Sequence, residues 1–126
     1  MRLVLFLAAL AVVLGAFGAH ALKAKLEPDQ LQVFETGVKY QMYHSLALIF
    51  TGILSTLFKS NSIKYAGNLF IAGIILFSGS LYLLSTKEIL EIGSMKFLGP
   101  VTPLGGLCFL AGWGMLLHAL IKNKQS

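Results

Sequence analysis

His20, His44 and Glu35 are side chains that bind metals or carry protons, and Tyr40, Gln41, Ser78, Ser80, Tyr82 and Thr102 are side chains that hold a small polar ligand. Gln41 and His44 are one helical turn apart, so on a helix they point the same way. With His20 or His44 as general base or metal ligand and Glu35 in support, the chain would be an enzyme. The close ligand spacing of known zinc motifs is missing, as are a Gly-rich phosphate loop and G-x-S-x-G. No cofactor is therefore expected. The one cysteine, Cys108, has no partner for an intramolecular disulfide, so it reads as a small apolar residue and indicates no redox compartment.

The elements that would carry these groups are apolar helices. The chain has 126 residues, 56% hydrophobic and 12% charged, about half the charged fraction of an average soluble domain. A chain this short cannot hide so much apolar surface from water. No Asp, Glu, Lys or Arg occurs in residues 3–22, 40–58, 65–86 or 97–121. Each run approaches the ~20 residues that a helix needs to cross the bilayer hydrocarbon. The expected fold is all-α: one integral membrane four-helix bundle over residues 1–126, with short loops. The basic residues, which give a net charge of +5, sit singly at the ends of the runs and anchor them. No basic and aromatic surface remains for nucleic acid, and the lipid bilayer is the expected partner.

Ala19-His20-Ala21 has the small-x-small form of a signal-peptidase site, and cleavage there would leave three spans. Against cleavage, the apolar run is longer than a signal core of ~7–15 residues. Ala11, Gly15 and Ala19 also lie four apart on one helical face, as in close helix packing. The first span is read as retained. Glu27-Pro28-Asp29 reads as a helix start. Leu31, Phe34 and Val38 then share a face, which predicts an interfacial amphipathic helix before span two, with Gly37 bending the joint. Glu35 and Lys39 form an i,i+4 pair. Thr102-Pro103 reads as N-cap and first-turn proline of span four. Gly105, Cys108 and Gly112 make a narrow small-residue face there, and with Ala11, Gly15 and Ala19 they suggest a homo-oligomer. Trp113 reads as packing, Asn68 as an interhelical hydrogen bonder and His118 as an interfacial residue.

Up-down threading puts His20, Gln41, His44, Ser78, Ser80, Tyr82 and Thr102 at one face of the bilayer. That face also carries every acid: Glu27, Asp29, Glu35, Glu88 and Glu91. Polar groups at membrane depth are costly unless paired or hydrated. Their convergence, with a helix N-terminus nearby, suggests a site for a small polar or anionic ligand. The plainer alternative is that they anchor and pack helix ends. Lys and Arg are shared equally: Arg2, Lys59, Lys64, Lys122 and Lys124 at one end, Lys23, Lys25, Lys39, Lys87 and Lys96 at the other. The N-terminal amine tips the orientation towards cytoplasmic termini.

"GAFGAHAL", "FETGVKYQMYHSLAL", "FSGSLYLL" and "GPVTPLGGLCFLAGW", starting at Gly15, Phe34, Phe77 and Gly99, together resemble one family. It is the four-span membrane family filed as domain of unknown function 423, which includes the eukaryotic transmembrane protein 256. The resemblance implies a small multi-pass protein, in bacteria of the cytoplasmic membrane, and implies no reaction. It favours a retained first span, because cleavage would cut through "GAFGAHAL". Three functions remain open: a binding, transport-like or accessory membrane component, a membrane-embedded enzyme using His20 or His44, and a structural or lipid-organising subunit.

Overall fold

The structure is a computed structural model that describes residues 1–91 and 97–124. Lys96 lies outside the described residues, so its expected place at the acid-bearing end stands as a sequence expectation only. Four helices account for nearly all of the described chain: α1 (Arg2–Leu22), α2 (Pro28–Leu57), α3 (Asn61–Thr86) and α4 (Leu98–Lys124). No strand occurs among the described residues. The helices run alternately up and down. At one end Val4, Leu54, Ile63, Leu116 and Ala119 share a core cluster, which joins the start of α1, the end of α2, the start of α3 and the end of α4. At the other end Leu22, Leu26 and Phe34 pack with Tyr82.

α2 begins where Glu27-Pro28-Asp29 predicts. Glu27 and Gln30 form a reciprocal capping box, Pro28 takes the first turn and Asp29 faces the positive end of the helix dipole. The stretch expected as a separate interfacial helix is instead the first part of α2, which continues without a break for 30 residues, about 45 Å. Gly37 provides clearance within this continuous helix: a Cβ there would lie 2.8 Å from Cε1 of Tyr82. Glu35 and Lys39 are exposed and make no ion pair among the described residues.

α3 and α4 interlock through alternating glycine and phenylalanine. Gly105 lies against the Phe77 backbone, Gly73 against the Phe109 ring and Gly112 against the Phe70 ring. Each large ring fills the notch that a missing Cβ leaves on the facing helix, so the two axes approach closely and dispersion does the binding. Gly105 and Gly112, expected to serve contacts between copies, are thus used inside the chain, and Cys108 between them is only partly buried. α1 behaves similarly. Ala11 is buried, and Gly15 and Gly18 admit Val38 and Phe34 of α2, while Ala19 is exposed.

Two wider π turns interrupt the α geometry, Gly18–Leu22 at the end of α1 and Ile74–Ser78 within α3. α4 starts at Leu98, a turn earlier than Thr102-Pro103 suggests, and Pro103 lies inside the helix. Pro100 occupies the first turn, where a missing N–H costs nothing, and the start is held by Leu98, which is buried.

The bundle buries polar side chains within its apolar core and exposes large apolar ones on its outside. Gln41, His44, Ser45, Thr51, Ser78, Ser80 and Ser85 face inward among aliphatic and Phe side chains, whereas Leu5, Phe6, Val12, Ile75, Leu107 and Leu110 are exposed. So much contiguous apolar surface suits hydrocarbon and not water. α1, α3 and α4 are long and apolar enough to cross a membrane. α2 is less apolar because its inner face carries Gln41, His44, Ser45 and Thr51, yet its outer face exposes Leu46, Phe50, Ile53 and Leu57.

Candidate functional site

α2 is the hub of the polar interior. Gln41 is 2% exposed. Its Nε2 donates to the Leu7 carbonyl of α1 at 2.7 Å, and its Oε1 accepts from the Tyr82 hydroxyl of α3 at 2.6 Å. One amide thus joins three helices and uses both its donor and its acceptor ends. A turn earlier, Ser78 Oγ donates to the Gly37 carbonyl at 2.7 Å. The π turn in α3 ends at Ser78, so Ser78 and Tyr82, a turn apart, both meet α2.

His44 faces the other way around α2, towards α4. Its Nδ1 is 2.9 Å from the Tyr40 carbonyl, which can only accept. Its Nε2 is 3.1 Å from Nε1 of Trp113, which can only donate. The imidazole is therefore neutral, with its proton on Nδ1, and both nitrogens are engaged. The ring stacks on Phe109 at 3.6 Å between centroids, and Tyr40 meets Phe77 edge-on at 4.8 Å. These rings and Gly106 border a lipid-facing recess of about 260 Å³. Ser80 and Thr102 join α3 to α4: Ser80 Oγ donates to the Phe77 carbonyl at 2.9 Å and takes a hydrogen bond from the Thr102 hydroxyl.

Of the residues expected at one polar pole, Gln41 pairs with Tyr82, Ser78 with the Gly37 carbonyl, Ser80 with Thr102, and His44 with Trp113. Among the described residues every buried side-chain N or O atom has a hydrogen-bond partner. His20 is exposed at the end of α1, Glu35 is exposed on α2, and neither joins His44. No three His, Cys, Asp or Glu side chains among the described residues come together as metal ligands. This removes the geometric basis for the His20–His44–Glu35 centre. Thr102 caps no helix and lies a turn inside α4, which starts at Leu98. Asn68 is exposed, because Ala66 and Phe70 take the inward positions of its helix.

Sequence reasoning missed Trp113. The available signal was its indole N–H, a donor at membrane depth that must find an acceptor. It also missed the open volume beside the polar sets. An open groove of about 500 Å³ lies between the start of α2, the end of α3 and the start of α4. Val33, Leu81 and Leu84 make its surface mostly apolar, Asp29 and Gln30 also line it, and the Ser85 hydroxyl beside it donates to the Tyr82 carbonyl. Thr102 borders it as well, so the groove adjoins the α3–α4 hydroxyl pair. Its chemistry fits a molecule with an apolar body and a hydrogen-bonding head.

Residues 14–106 match the family described as "Protein of unknown function (DUF423)". The UPF0382 membrane protein YwdK of Bacillus subtilis (strain 168) is 47% identical over 116 residues, which is 91% of this chain and 89% of that protein. A UPF0382 membrane protein of Staphylococcus haemolyticus is 43% identical over 126 residues, 97% of this chain and 98% of the relative. One from Staphylococcus aureus (strain bovine RF122 / ET3-1) is 46% identical over the same shares. No solved structure matches.

Proposed function

The chain belongs to the DUF423 family of membrane proteins, and we propose that it works in the membrane by binding one amphipathic, lipid-like molecule. The open groove between α2, α3 and α4 carries this reading, with its wall of Val33, Leu81 and Leu84 and with Asp29 and Gln30 beside it. An apolar body would rest on the wall, and a head with hydrogen-bond donors or positive charge would meet Asp29 and Gln30. The carboxylate makes this pocket a poor place for an anion. In this reading the buried hydrogen bonds hold the bundle in shape around the groove and take no part in chemistry.

The reading includes four crossings, with α2 as the second. The apolar outer face of α2 supports this, as does its continuous contact with the helices on either side. The membrane is the cytoplasmic membrane, with both termini in the cytoplasm. The enzyme reading has less support, since His44 is fully hydrogen-bonded and His20 stands alone at a helix end.

Native mass spectrometry of protein extracted from its own membranes tests the proposal. The unmodified protein is expected to carry a lipid-sized adduct. Leu84→Trp, which fills the groove, is expected to lose it while circular dichroism stays helical. An adduct retained by the folded Leu84→Trp protein, or no adduct on the unmodified protein, favours the third function, a structural subunit.

A further inference from the structure

The opposite end of the bundle has a second recess of different character. Lys59, Ser60, Asn61 and Ser62 border it from the α2–α3 loop and the start of α3, and Lys122 and Asn123 from the end of α4. Its volume is about 420 Å³. Lys59 and Lys122 come from separate elements, and Ser60 and Ser62 add hydroxyl donors. These four side chains make no hydrogen bond or ion pair among the described residues. Arg2 and Lys64 lie at the same end, and all five acids of the chain lie at the other. Among the described residues no Asp or Glu side chain lies at that end to compete for the two ammonium groups.

The depth is also specific. The recess opens where α2 and α4 end and α3 begins, just past the apolar runs, which is the level of lipid head groups. A phosphate carried on a lipid meets lysines at this depth without leaving the membrane, whereas phosphate in solution must compete with water and salt. We propose that this recess seats the phosphodiester head group of an anionic phospholipid. Lys59 and Lys122 pair with the phosphate, the Ser60 and Ser62 hydroxyls donate to its oxygens, and the acyl chains lie along the exposed apolar faces of the adjoining helices.

The test uses the full chain in nanodiscs of phosphatidylcholine with a minority of phosphatidylglycerol. Native mass spectrometry reads which lipid stays bound after release. The unmodified protein is expected to retain phosphatidylglycerol over phosphatidylcholine by about tenfold, and the Lys59→Gln/Lys122→Gln protein to lose that preference. Arg2→Gln/Lys64→Gln makes the same change in net charge at the same end but outside the recess, and is expected to keep it. Equal loss in both double variants overturns the proposal in favour of general charge attraction. No preference in the unmodified protein overturns it outright. Displacement of the lipid by millimolar inorganic phosphate also overturns it, and marks the recess as a site for the free ion.

Discussion

At the scale of single residues, Gln41, His44 and Trp113 decide how tightly the helices are tied. Trp113→Phe keeps the ring and removes the N–H that His44 Nε2 accepts. It is expected to cost about 1 kcal/mol, seen as a lower melting temperature in detergent. A double-mutant cycle with His44→Phe is expected to give a coupling of about 0.6 kcal/mol, the average for hydrogen bonds inside membrane proteins, and no more than about 1.7 kcal/mol. Gln41→Leu is expected to cost more than Tyr82→Phe. It breaks the links to both α1 and α3, whereas Tyr82→Phe breaks only one. His44→Ala is expected to lower stability and leave bound metal unchanged by elemental analysis, since both ring nitrogens already have protein partners. The polar residue types could be read from the sequence, because uncharged runs make any Gln or His conspicuous. Their partners could not. The Leu7 and Gly37 acceptors are main-chain carbonyls, and every residue has one.

At the scale of elements, the α3–α4 interface yields a comparison internal to the chain. Gly105→Ala places a Cβ against the Phe77 backbone, 2.8 Å from its Cα, so no side-chain rotation relieves it. It is expected to destabilise by about 1–3 kcal/mol, and Phe77→Ala is not expected to restore the loss. Gly112→Ala meets only the Phe70 ring, at 2.6 Å from Cε1, so Phe70→Leu is expected to recover part of its cost. Gly114→Ala has open space around it and is expected to be neutral or to stabilise by up to about 1 kcal/mol, as alanine does in a helix. Thermal unfolding of the five variants checks the series. The sequence marked Gly105 and Gly112 as places of close approach, which they are. It could not say that the approaching helix is α3 of the same chain and not another copy, because small residues permit contact without naming a partner. The start of α4 is ambiguous in the sequence for a local reason: Pro100 and Pro103 both offer a first-turn proline, and the helix uses the earlier one.

At the scale of the whole molecule, hydrophobic length makes the helical membrane bundle legible in the sequence. α2 shows where that signal weakens. A helix that gathers the polar side chains of its neighbours is the least apolar of the four, although it lies along α1, α3 and the groove. Single cysteines placed at Lys25, Lys87 and Lys59 in a Cys108→Ser background test the threading. Impermeant maleimide is expected to reach the first two from one side of the membrane and the third from the other. Labelling of Lys25 and Lys87 from different sides would mean that α2 or α3 does not cross. The bond from Gln41 to Leu7 has a broader consequence. The receiving atom belongs to the peptide group, so α1 is recognised by its course and not by its lettering. Any apolar residue at position 7 would present the same carbonyl, whereas the donor at position 41 requires the amide side chain.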